Sequence, residues 1–154
     1  HDSVARMADS TRSSTVVDAT PGDVLDIIAD FEAYPEWAKE ITRVEILTED
    51  GDGWPDTASF TLDAGPIKDS YVLDYTWDVD EDGQGVASWT LVEATMLKVM
   101  DGSYTLTALE DGTTEVVYDL TVDVKVPMLG MLKRKAEKVI IDTALRDLKK
   151  RAEA

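Results

Sequence analysis

Six successive stretches between Thr42 and Val124 alternate apolar and polar residues with a period of two. Val44 and Ile46 open the series. Ala58, Phe60, Leu62 and Ala64 follow, then Tyr71, Leu73, Tyr75 and Trp77, then Ala87, Trp89 and Leu91. Met100, Gly102, Tyr104 and Leu106 come next, and Val116, Tyr118, Leu120, Val122 and Val124 close it. Turn sequences separate the stretches: Glu49 to Gly53, Gly65-Pro66, Asp80 to Gly85, and Glu110-Asp111-Gly112, a strong hairpin signal. Successive strand side chains point to opposite faces. The alternation therefore predicts an antiparallel sheet with one buried face and one wet face. Arg12 to Ala19 adds a strand ahead of the series, for seven in all.

Helical spacing brackets this sheet. Thr20-Pro21-Gly22-Asp23 reads as a helix start, with Thr20 as cap, Pro21 at the first helical position and Asp23 complementing the positive helix end. Val24, Leu25, Ile27 and Ile28 give this helix an apolar face, and it should fade by Asp30 or Phe31. Pro35 disfavours helix at Tyr34, so a second short helix is expected from Pro35 toward Glu40. After Pro127 the period is again helical up to Arg151, with Leu129, Leu132, Ala136, Val139, Ile140, Ala144 and Leu148 as the apolar stripe. Some 25 residues at 1.5 Å each make a helix roughly 37 Å long. A long amphipathic helix after a one-faced sheet is expected to lie across the concave side. The expectation is an α+β domain over residues 12–153. Residues 1–6, ahead of the Met7-Ala8 pair, read as the remnant of a purification tag.

The order β-α-α-β6-α resembles the START-like, or SRPBCC, superfamily. Val17-Asp18-Ala19-Thr20-Pro21 leading into Val24 is similar to its first strand and helix start, and Tyr34-Pro35-Glu36-Trp37 to its Y-P-x-W stretch. Gly102-Ser103-Tyr104 and Thr113 to Tyr118 resemble its last two strands, and Val126-Pro127-Met128-Leu129-Gly130 the opening of its closing helix. The chain looks most like the polyketide cyclase/dehydrase and coenzyme-Q-binding branch of small bacterial proteins. The resemblance implies a helix-grip fold with a hydrophobic tunnel between sheet and C-terminal helix. Family members bind lipids, sterols or polyketides there, and a few fold a poly-β-keto chain. It also implies that Tyr34 and Trp37 plug one end of the sheet.

Composition narrows the chemistry. Cysteine is absent and His1, within the suspected tag, is the single histidine. A Ser-His-Asp triad, a Cys-His pair and a His-ligated metal are therefore not expected, nor is any cofactor. The lack of cysteine fits a reducing cytoplasm. The acidic turns Glu49 to Gly53 and Asp78 to Asp82 lack the spacing of an EF-hand. Net charge is −17, which excludes the phosphate-neutralising chemistry of nucleic-acid binding. The charge is uneven: −22 over residues 1–124 and +5 over 125–154. The basic helix either complements the acidic body or makes transient contact with an anionic membrane. The chain is expected to be a monomer or weak dimer.

The cavity-lining candidates are Phe60, Tyr71, Tyr75, Trp77, Trp89, Met100, Tyr104 and Tyr118 on the sheet, with Met128, Met131, Leu132 and Ala136 on the last helix. Any one of them could simply fill core. Together, tyrosines and tryptophans on one concave face would leave hydroxyl and N–H groups in need of partners, which a cavity with water or ligand supplies. Met96, Met100, Met128 and Met131 could adapt to varied ligand shapes. Trp54, beside a Gly-rich turn, is expected to be exposed. Arg43 and Lys68 could meet a ligand carboxylate or form surface ion pairs. Gly130 could serve close packing or a hinge. No catalytic residue is assigned. Three readings follow: a carrier or sensor of an apolar small molecule, a metal-free polyketide cyclase or dehydratase using tyrosine hydroxyls, and a protein-interaction module.

Overall fold

The computed structural model describes residues 10–65, 67–126 and 129–154. Seven strands form one antiparallel sheet in the order β1-β7-β6-β5-β4-β3-β2. They are β1 Thr11–Val17, β2 Ile41–Glu49, β3 Pro55–Asp63, β4 Lys68–Val79, β5 Gly85–Ala94, β6 Leu97–Ala108 and β7 Thr114–Val124. Between β1 and β2 run α1 Pro21–Ala29, a 3-10 turn Phe31–Ala33 and α2 Tyr34–Trp37. The closing helix α3 is Gly130–Ala152. Neighbours β2 to β7 are consecutive hairpins, and β1 returns to pair with β7 in register from Thr11↔Leu120 to Val17↔Thr114.

The period-two residues are those buried: Ala58, Phe60 and Leu62 on β3, Tyr71, Leu73 and Tyr75 on β4, Ala87 and Trp89 on β5, and Val116 to Val122 in alternation on β7. At β6 the inward position 102 is glycine. A Cβ there would lie 2.6 Å from Trp89 Cζ2 and 2.7 Å from the Asp119 carbonyl oxygen, so the indole occupies the space a side chain would need. The acidic turns use their carboxylates locally. Asp50 accepts the N–H groups of Asp52 and Trp54, and Asp80 those of Asp82 and Gln84. These side chains close the turns that join the strands.

Thr20 caps α1 by accepting the Asp23 N–H, and Pro21 is its first residue. α2 is shorter than the pattern suggests. It ends at Trp37, and the Ala38 N–H returns to the Tyr34 carbonyl. The stripe of α3 is also displaced. Ala136, Ile140 and Leu148 are buried as expected, with Ile141 and Leu145 beside them, whereas Leu129 is 79% exposed. The anchor is a charged residue, Glu137, which is fully buried. It accepts the Thr11 hydroxyl, the Val122 N–H and the Lys133 ammonium, each at 2.7 Å. Among the described residues β1 begins opposite Leu120, and the Val122 N–H two positions further along β7 donates to Glu137.

Candidate ligand cavity

A cavity of about 70 Å³ lies between the sheet, the segment from Tyr34 to Ile41, and α3. Phe60, Tyr71, Tyr75, Trp89, Met100, Tyr104 and Tyr118 line its sheet side. Ile140, Thr143, Ala144 and Asp147, spaced three and four residues apart on one face of α3, form its roof. Trp37, Ala38, Lys39 and Glu40 close one end. Lys39 is exposed, and Glu40, Ile41, Thr143 and Ala144 are half-buried, which places the mouth between the Lys39–Ile41 segment and the middle of α3.

The walls are a continuous aromatic network. Ring centroids are 4.5 Å apart for Tyr104 and Tyr118, 5.5 Å for Tyr75 and Trp89, 5.6 Å for Trp89 and Tyr104, and 5.8 Å for Phe60 and Tyr71, distances at which aromatic pairs attract. Tyr34 donates its hydroxyl to the Ile28 carbonyl. The hydroxyls of Tyr71, Tyr75, Tyr104 and Tyr118 have no hydrogen-bond partner among the described residues and line the cavity. The Trp89 Nε1 is the one buried side-chain polar atom left unpartnered among the described residues. Burial pushes all five tyrosine hydroxyls above their usual range, so each stays a neutral donor and acceptor at physiological pH.

Two carboxylates stand at the mouth. Asp147 is buried and accepts the Lys39 N–H at 3.1 Å, with Arg146 Nε 4.0 Å away. Glu40 has no side-chain hydrogen bond or ion pair with a described residue. Burial raises its carboxyl to about 7, the charges of Asp147 and Asp63 add to the rise, and Arg146 opposes it.

Seven of the twelve lining candidates thus meet around one space, and four do not reach it. Trp77 lies at the far end of β4, where its Nε1 donates to the Pro55 carbonyl at 2.7 Å and its ring packs on Trp54 at 5.1 Å. Trp54 is correspondingly half-buried rather than exposed. Met131 is 76% and Leu132 43% exposed, because the first turns of α3 precede the part that crosses the sheet. Ala136 is fully buried but in the core beside the cavity. Met128 lies outside the described residues. Arg43 and Lys68 do not line the cavity, and Lys68 pairs at the surface with Asp63 at 3.9 Å. At Gly130 the nearest group to an added Cβ would be the Arg134 guanidinium, at 3.4 Å, so close packing does not require glycine there.

The pattern reading missed Glu40, Thr143 and Asp147. Asp147 had a signal, a charge on the apolar face that runs Ile140, Ala144, Leu148. Glu40 had none, since its place depends on how the chain leaves α2. A second, open groove of about 540 Å³ lies on the outer sheet face. Its charged groups are already engaged, Arg12 with Asp119 at 2.7 Å and Asp101 with the Leu91 N–H at 2.9 Å.

Comparison with known proteins agrees with this geometry. No curated protein matches the chain. Among solved structures, a START superfamily protein from Mycobacterium smegmatis superposes with a TM-score of 0.85 at 22% identity, over 94% of this chain and 97% of that one. An aromatase/cyclase from Streptomyces sp. R1128 gives 0.75 at 16% identity over 94% and 93%. A STAR-related lipid transfer protein fragment from Xanthomonas axonopodis gives 0.76 at 14% identity over 94% and 86%. At these identities the likeness is one of fold. The family described as polyketide cyclase/dehydrase and lipid transport matches residues 17–149, and the chain belongs to that family.

Proposed function

We propose that the chain binds an apolar small molecule, of lipid, quinone or polyketide-like class, between the sheet and α3, as a carrier or sensor. The observation that carries this reading is one cavity onto which four tyrosine hydroxyls open without a protein partner, together with the buried and unpartnered Trp89 Nε1. Unsatisfied buried polar groups cost free energy, and water or a ligand with polar atoms offsets that cost. A cavity of about 70 Å³ holds a few waters, whereas ligand sites usually span some 300–1,000 Å³. A larger ligand therefore widens the site, and the half-buried mouth between the Lys39–Ile41 segment and α3 is the place for it to do so. Native mass spectrometry with solvent extraction tests the reading. A recurrent apolar molecule at near one-to-one ratio is expected. A clean apo mass, with no thermal shift from fatty acids, quinones, sterols or polyketide mimics, overturns it.

A metal-free cyclase or dehydratase is the second reading, favoured by one observation: Glu40, raised to about 7 at the cavity mouth, would exchange a proton readily near neutrality. Turnover of a poly-β-keto mimic that is lost in Glu40→Gln would support it.

The chain's surface partner is proposed to be an anionic membrane, touched transiently. Support comes from exposed Val126, Leu129 and Met131 beside the exposed basic pair Arg134 and Lys135. Among the described residues no helix is long and apolar enough to cross a membrane.

A further inference from the structure

We infer that the molecule taken by this cavity carries a basic nitrogen, protonated at neutral pH, held at the Glu40 mouth with its apolar body among the aromatic rings. The inference rests on the cavity-binding reading and narrows its ligand class.

Charge at the mouth is the first ground. Glu40 and Asp147 both line the cavity. Asp147 is engaged by the Lys39 N–H and approached by Arg146. Glu40 has neither an ion pair nor a side-chain hydrogen bond among the described residues, so it is the acid left open. Lys39 is the sole basic residue on the lining, and it is exposed. An anionic ligand would meet two carboxyl groups and no buried cation. Desolvating a like-charged pair without compensation is costly.

The walls are the second ground. Tyr104, Tyr118 and Trp89 line the interior with aromatic rings packed 4.5–5.7 Å apart, and the faces of such rings attract cations through their quadrupoles. The unpartnered tyrosine oxygens can accept hydrogen bonds from an ammonium group. The field of the body, −22 over residues 1–124, favours approach of a cation.

Protonation of Glu40 gives the inference a signature. Asp147, Asp63 and Arg146 face this carboxyl, and the neutral hydroxyls of Tyr71 and Tyr118 lie near it. A bound cation favours the ionised carboxylate, so binding expels a proton. Affinity should rise about tenfold between pH 6 and pH 8, following the ionised fraction of a carboxyl that titrates at about 7.

Benzylamine, benzyl alcohol and benzoate share one ring and differ in charge. Titrations of the full chain, followed through the indole N–H resonances of Trp37 and Trp89, measure their affinities. Benzylamine is expected to bind at least about tenfold more tightly than either analogue at pH 8, a gap of the size one carboxylate contact supplies. Glu40→Gln should abolish that preference and the pH dependence. Benzyl alcohol or benzoate binding as tightly as benzylamine overturns the inference and leaves the cavity reading standing. A preference that persists in Glu40→Gln also overturns it. If none of the three shifts the indole resonances, the cavity reading falls and takes this inference with it.

Discussion

The Trp89 indole lies directly over the backbone of Gly102, its Cζ2 atom 2.6 Å from where a Cβ would stand. The two residues are cross-strand partners on β5 and β6. The bulk of one therefore sets the identity of the other. Gly102→Ala should destabilise the fold by about 1–3 kcal/mol, the usual cost of forcing extra volume into a packed site. The Asp119 carbonyl on the other side, at 2.7 Å, blocks relief by backbone movement. Urea unfolding followed by tryptophan fluorescence checks this, and an unchanged midpoint would refute it.

Tyrosine hydroxyls on the same face should respond differently to removal. Tyr104→Phe and Tyr118→Phe delete groups with no partner among the described residues, so stability should change by no more than about 0.5 kcal/mol. Tyr34→Phe leaves the Ile28 carbonyl without its buried donor and should cost about 1–2 kcal/mol. Thermal melts of the three variants side by side separate the cases.

Glu137 should be the most sensitive charged position. Its carboxylate joins Thr11, Val122 and Lys133 while itself fully buried. Glu137→Ala removes one side of a buried charged network and should cost about 3–5 kcal/mol in chemical denaturation. Glu137→Gln keeps the shape and some of the bonds, so it should cost less.

Glu40 gives stability a pH dependence of defined sign. Its folded value of about 7 lies above the ordinary carboxyl range, so the folded state holds this proton more tightly than the unfolded chain. The contribution is fully present below the unfolded value and is lost as pH rises toward 7. Glu40→Gln should thus stabilise at pH 8 relative to the parent and have little effect at pH 4. Carboxyl resonances titrated by NMR should place Glu40 near 7. Asp147→Asn should lower it only part of the way, because burial is the larger cause.

Anionic vesicles test the surface contact. Vesicles rich in phosphatidylserine should retain the protein at low salt and release it as salt rises, since exposed charges are screened beyond about 10 Å at 0.1 M. Replacing the exposed Arg134 and Lys135 with glutamine should abolish retention, whereas neutral vesicles should not bind the parent.

The strands were legible before any coordinates because their faces differ in solvent. Ala58, Phe60 and Leu62 alternate with polar neighbours, and no other register buries that set. The start of α1 was equally local, since Thr20 caps whatever helix follows Pro21. Seven aromatic and methionine positions around the cavity followed from the same alternation.

The sequence by itself determined the antiparallel order of elements, the inward face of each strand, and the lack of any cysteine, because each is a one-dimensional property of residue type and spacing. Only the tertiary structure decided where α3 crosses the sheet. That placement depends on Glu137 meeting the Val122 N–H on β7, which no helical period reveals. It leaves Met131 and Leu132 outside and brings Glu40 to Asp147 across 106 intervening positions of chain. Electrostatic coupling depends on distance in space, and the fold sets that distance.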